Sequence, residues 1–295
     1  MKHIIVIFFI LVIFTGFLFD SLDAMSWPSG NAVLVRNFGS NNRGKPVLGM
    51  VFAGGTDVVA AESGEVIFTR TNNAAEFAAS RLPSPLGAWA AVDHGDGLIS
   101  IYSRYANEPE NNLKNQVERQ QPVASAGISG WSAQNGFYFM IFDRRERRWI
   151  NPAMIITPMQ ETRPVQILSV ELRNAQGVVQ SRNLTQGRYT VFVNAAGGTS
   201  RVPAAIVPGQ FAPHRIVCSV NGAEVGSLNF EFVSARDGVL MVSRNGLVPA
   251  SKVYAYSPSF EAADVFLTRG QVTLEIIVQD ITGSSRSVIN RLVVN

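Results

Sequence analysis

The chain has 295 residues, 46% of them hydrophobic and 16% charged, with 25 basic against 22 acidic side chains and a net charge of +3. That length suits two domains of ordinary size, each with its own core, and that composition excludes a disordered chain. The pI of about 9.2 is compatible with an anionic neighbour but does not select nucleic acid.

At the N-terminus, Lys2 and His3 precede an apolar run from Ile4 to Phe19, and Asp20 to Ala24 close it with polar and small residues. This is the pattern of a signal peptide over residues 1–24, which predicts export to the periplasm or cell envelope. The run is short for a span of about 20 residues, and an uncleaved membrane anchor is the alternative. From residue 30 onward the chain reads as strand and turn. AVLVRNF, EVIFTR, AWAAVDH, LISIYSRY and FYFMIF are β-branched or aromatic runs separated by Gly, Asn, Asp or Pro clusters. Only AAEFAASRL, Ala74 to Leu82, suits a helical turn or two.

From Thr157 to Pro164 the Pro-bounded polar stretch TPMQETRP predicts a linker, placed at residues 159–165. Beyond it, VQILSVELRNAQG, GRYTVFVNAAG and VTLEIIVQDITG alternate between apolar and polar residues, which predicts a two-sheet sandwich over residues 166–295. It is immunoglobulin-like only in the broad sense, because the Cys/Trp/Cys pattern is missing. The only cysteine, Cys218, lies in the strand-like RIVCSV. No intramolecular disulfide can form, and a buried structural thiol is expected.

Five landmarks of the first half occur in a telling order: WPSGNAVLVRNFG, GTDVVAAESGEV, AAVDHGDGLISIYSRY, VERQQPVASAGISGW and GFYFMIF followed by INP. In order and spacing they resemble the M23 family of zinc endopeptidases, with the LytM or lysostaphin-like fold. The resemblance covers about half the chain and implies a β-rich, groove-forming domain over residues 25–158. The fold class is therefore all-β, a LytM-like domain followed by a sandwich.

The resemblance also says where a metal site would lie. The family binds zinc through a His and an Asp of an HxxxD segment and through the second His of an HxH strand. Two further histidines assist, the first of the HxH and one after the DHG hairpin. Here Lys45 to Phe52 (KPVLGMVF) holds no His, Asp or Glu, Arg104 falls at the catalytic His, and Phe137 and Phe139 are matched to the HxH. A catalytic zinc needs about three protein ligands, whereas the mature chain has two histidines, His94 and His214, in different expected domains. No metal, no cofactor and no catalytic residue is expected. Asp93, His94 and Gly95 are expected to serve the hairpin structurally, and His214 has the same reading.

Other chemistries find no motif. GxSxG, a Walker lysine loop and GxGxxG before a helix are all missing. Asp93 with Asp96, and Glu108 with Glu110, read as solvated turns, and Arg144 to Arg148 as a hairpin tip. What remains is a pseudo-enzyme of the envelope that binds peptidoglycan or a cell-wall hydrolase such as an amidase, with no nucleic-acid partner. Its candidate groove residues are Arg104, Trp131, Phe137 and Phe139, then Tyr102 and Tyr105; Phe137 and Phe139 pack inside in the competing reading. The alternatives are a structural or adhesive protein of two β modules and an active metallopeptidase with unusual ligands.

Overall fold

The computed structural model describes residues 25–71, 84–106, 113, 115–132, 134–157, 162–179, 183–199 and 211–295. The expected signal segment 1–24, the helical reading of Ala74 to Leu82, the Glu108/Glu110 pair and residues 159–161 of the expected linker lie outside them. The described chain is all-β. Its helical pieces are the single turns Pro152–Met154 and Ala250–Val253.

The first half supplies β1 (Val33–Arg36), β2 (Met50–Ala53), β3 (Gly64–Arg70), β4 (Trp89–Asp93), β5 (Leu98–Ser103), β6 (Gly136–Asp143) and β7 (Arg148–Ile150). Strands β7, β6, β5, β4 and β3 lie side by side in that order. Along one edge of β6, β2 takes Gly136 to Phe139 and β7 takes Ile141 to Asp143. Turn chemistry places these strands. In the β4–β5 hairpin, Asp93 Oδ1 accepts from Gly95 N at 2.9 Å and Asp96 Oδ1 accepts from Leu98 N at 2.9 Å, so each carboxylate replaces backbone partners that the turn lacks. In the β6–β7 turn, Asp143 Oδ1 does the same for Arg145 N and Glu146 N.

The second half supplies β8 (Thr162–Asn174), β9 (Gly177–Val179), β10 (Gly187–Thr199), β11 (Arg215–Val220), β12 (Ala223–Arg236), β13 (Val239–Arg244), β14 (Phe260–Leu267), β15 (Gly270–Gln279) and β16 (Ser285–Val294). One sheet runs β9-β8-β10-β14, and the facing one runs β16-β15-β11-β12-β13. Alternation decides which side faces in: on β15, Val272, Leu274, Ile276 and Val278 are buried while Gln271 and Thr273 are exposed. Residues 162–165 of the expected linker already belong to β8.

The halves are joined more tightly than a linker implies. Strand β7 pairs antiparallel with β12, Arg148 opposite Ser234 and Ile150 opposite Phe232, so one sheet continues through both halves. Asn151 extends the ladder, its N donating to Glu231 O at 2.8 Å and its Nδ2 to Phe230 O at 2.9 Å. The side-chain amide of Asn37 exchanges two hydrogen bonds with the backbone of Ala212, at 2.7 and 2.9 Å. Tyr254 Oη donates to Gly39 O at 2.7 Å. These are buried backbone groups satisfied across the boundary, where separation would leave them unpaired.

Candidate functional site

Strand β6 organises the candidate site because both of its faces are covered. Phe137, Phe139 and Ile141 point into the main core, with Phe137 stacked on Phe52 at 4.8 Å and Phe139 tilted against Tyr102 at 5.4 Å. Phe137 is 1% exposed and Phe139, Tyr102 and Tyr105 are 0% exposed. These four candidate groove residues are therefore interior, as the packed-core reading of Phe137 and Phe139 has it.

The opposite face of β6 carries Tyr138 and Met140. With Val47 they form a small separate apolar cluster, against which Leu48, Val51, Leu86, Ile101 and Trp149 pack. The Tyr138 hydroxyl accepts from Leu48 N at 2.8 Å, and the Arg104 guanidinium lies over its ring at 4.9 Å. Burial pushes the phenol pKa up, against the smaller opposing pulls of the Leu48 amide and Arg104. Gly49 allows this closure, since a Cβ there would collide with Phe139 O and the Met140 side chain.

If the resemblance is kept as the guide, this placement moves the residue matching by one position. The resemblance puts the HxH pair and the Arg104 position in one groove, yet Phe137 and Phe139 face away from Arg104. A shift of one residue along a strand exchanges its faces, and it brings Tyr138 and Met140 onto the HxH. Val47 and Val51 have the four-residue separation of HxxxD and pack in the same cluster. Val51 is directly opposite Tyr138. On that resemblance, the positions matched to the metal site are a valine, a tyrosine, a methionine or an arginine. The thioether is a poor zinc ligand and the phenol keeps its proton, so the residues present do not fit a zinc ion. No group of three His, Cys, Asp or Glu is gathered for a metal among the described residues.

Above the filled cluster lies a built rim. Arg104 does not end β5 as a strand residue; it follows it with φ 62°, in the left-handed region, its N shared between Leu86 O at 2.8 Å and Ala88 O at 2.9 Å. Its Nε reaches Pro85 O at 3.3 Å, and Trp131 N donates to that same carbonyl at 3.2 Å. Burial lowers the Arg104 pKa, Tyr138 opposes this and Arg36 adds to it. The Trp131 loop is clamped by Ala88 N donating to Ser129 Oγ at 3.0 Å and by the back-to-back contact of Gly87 and Gly130, where neither position has room for a Cβ. Trp131 is 67% exposed and its neighbour Ile128 65%. A fixed guanidinium thus stands near a large exposed apolar surface.

The remaining positions singled out in the sequence make contacts within the fold. His94 Nδ1 lies 2.8 Å from Ser63 O and Nε2 lies 2.9 Å from Ser100 Oγ, which is 2.9 Å from Tyr102 Oη. The Ser63 carbonyl can only accept, so Nδ1 carries the proton. Of the arginine cluster, Arg144 pairs with Asp93 at 2.9 Å, Arg148 lies over Phe232 at 4.9 Å, and Arg145 packs on Gly97. His214 lies 4.0 Å from Glu231, with its pKa lowered by burial, and Cys218 is buried.

A family model for an uncharacterised domain matches residues 164–295. No curated protein matches the chain. Among solved structures, the chain is similar to the catalytic domain of a mutant of the prophage-encoded M23 protein EnpA from Enterococcus faecalis, at 19% identity and TM-score 0.36, over 43% of this chain and 95% of that one. It is also similar to the pore-forming SpoIIQ–SpoIIIAH complex, at 21% identity and TM-score 0.37, over 46% and 92%. Lysostaphin in solution matches at 14% identity and TM-score 0.37, over 92% of each chain. No helix among the described residues is long and apolar enough to cross a membrane. The structural neighbours of the chain therefore include M23/LytM-family peptidases, at low identity.

Proposed function

We propose that this protein is an exported, non-catalytic LytM-like protein of the cell envelope that binds peptidoglycan or a cell-wall hydrolase at the rim bearing Arg104 and Trp131. The observation that carries this reading is the filled cluster of Val47, Val51, Tyr138 and Met140, where hydrolysis would need metal ligands. The rim above it offers chemistry suited to binding. A guanidinium takes a carboxylate of a peptide stem or of a partner's side chain, and an exposed indole stacks on sugar or peptide.

Sedimentation with purified peptidoglycan and calorimetry with a purified amidase test the reading. The wild-type chain is expected to bind one of the two. Arg104→Ala and Trp131→Ala are each expected to weaken that binding by about tenfold, while circular dichroism shows the fold retained. Binding unchanged in both variants transfers the weight to a structural or adhesive role for two joined β modules. Cell-wall hydrolysis by the unaltered chain, abolished by a chelator, overturns the non-catalytic reading.

A further inference from the structure

The sandwich half carries a surface groove that shares no residue with the Arg104 rim. The outer face of the sheet β9-β8-β10-β14, walled on one side by the segment Lys252 to Tyr256, forms an open groove of about 1100 Å³. Its floor is locked by charge. Arg244, itself buried, donates to Glu261 Oε1 at 2.5 Å and Asp264 Oδ2 at 2.8 Å. Lys252 Nζ lies 3.2 and 3.0 Å from the same two carboxylates, and Thr190 Oγ1 donates to Asp264 Oδ1 at 3.0 Å. The acids are held in place and their charge is largely matched, so they act as oriented hydrogen-bond acceptors.

The wall is a fixed aromatic plate. The Arg173 guanidinium lies 4.1 Å from the Tyr256 ring centre and 4.5 Å from that of Phe192, and it is tethered to Glu171 at 3.0 Å. Phe192 meets Tyr256 edge-on at 5.1 Å. Tyr256 nevertheless remains 50% exposed, so a ring already held by its neighbours still offers apolar surface to solvent. Across the groove, Arg188 and Phe266 are cross-strand partners and both are exposed. Among the described residues, Arg188 has no acidic partner.

We propose that this groove binds a saccharide chain that carries carboxylates. The sheet face decides between sugar and peptide. Its backbone N–H and C=O groups point along the sheet to neighbouring strands, so an extended peptide lying on the face finds no main-chain partners. A saccharide needs none. Its ring stacks on an aromatic plate through C–H groups, and its hydroxyls take side-chain acceptors and donors such as Asp264 and Gln176. The exposed, planar Arg188 then selects a carboxylate on the sugar, which it can grip through two parallel hydrogen bonds.

Calorimetric titration of the full chain with oligogalacturonate, with a neutral chito-oligosaccharide and with a glutamate-rich peptide tests the proposal. Oligogalacturonate is expected to bind, the neutral sugar to bind more weakly and the peptide not to bind. Arg188→Gln should weaken oligogalacturonate about tenfold and leave the neutral sugar unchanged, whereas Tyr256→Ala should weaken both. Trp131→Ala should alter neither, which separates this groove from the rim of the first half. Because Arg188 is exposed, its variant keeps the test readable even where Tyr256→Ala disturbs the fold. The proposal is overturned by saccharide affinities weaker than about 1 mM, by binding unchanged in both groove variants, or by the peptide binding more tightly than the sugars.

Discussion

The two faces of β6 are both buried, and they are buried differently. Phe137, Phe139 and Ile141 belong to the core that runs through the described chain, whereas Tyr138 and Met140 close a pocket of their own with Val47. The inner face carries the fold, and its rings touch partners from several strands. The outer face has only to exclude water beneath the rim. Residues of a site can therefore be exchanged for apolar ones without consequence for the sheet, provided they fill the volume.

The comparison is broken most sharply by histidine. Phe137→His with Phe139→His places two imidazoles in the main core, and each lost ring costs about 3 kcal/mol or more. Chemical denaturation should show a chain close to unfolded, with no zinc retained after dialysis. Val47→His, Val51→Asp and Met140→His instead put three ligands on the outer face, at the register set by the structure. Metal analysis should then find one zinc per chain, and the thermal midpoint, lowered in the metal-free variant, should rise on adding zinc. No zinc in the triple variant would sink the assignment of Tyr138 and Met140 to the HxH.

A milder test uses alkaline pH. Burial raises the Tyr102 pKa from an ordinary 10.0 to about 12, although the Ala61 amide and Ser100 pull it down. Below the ordinary value both states keep the proton, and the contribution to stability is whole. Above it the unfolded chain ionises first, so stability falls through that window, by up to about 3 kcal/mol for this group. Tyr138 and Tyr105 are raised by burial in the same sense. Urea midpoints should drop from about pH 10 upward, and Tyr102→Phe should flatten the drop. Smallest is Tyr138→Phe, which leaves the Leu48 amide without its acceptor at a cost of about 1–2 kcal/mol. Because the ring stays in place, the proposed binding at the rim should be unaffected.

What was legible in the sequence was local. The DHGDG hairpin and the Arg144 to Arg148 turn are each set by an Asp that satisfies backbone donors within a few residues, so the signal and its cause lie in the same stretch. The parity of GFYFMIF was not legible. A strand covered on both faces has no polar alternation to say which side is which, and the one-residue displacement of the HxH followed from that. The spacing of Val47 and Val51 could have been found, because the pair keeps the interval of HxxxD without its chemistry. The joint between the halves was hidden for another reason. Asn37 with Ala212, and β7 with β12, pair residues far apart in the chain, and no short window contains both partners.

That joint has a consequence for how the molecule comes apart. Strand β7 completes its ladder on β12, and the Asn37 amide completes that of Ala212, so neither half on its own has a finished edge. Heating should give one calorimetric peak instead of two. A protease cut between the halves should leave the pieces associated, and expressing either alone should yield a protein that aggregates through its open strand. Force applied to the C-terminal half would be carried into the first half through interstrand hydrogen bonds rather than through a slack tether, so the two halves are mechanically coupled.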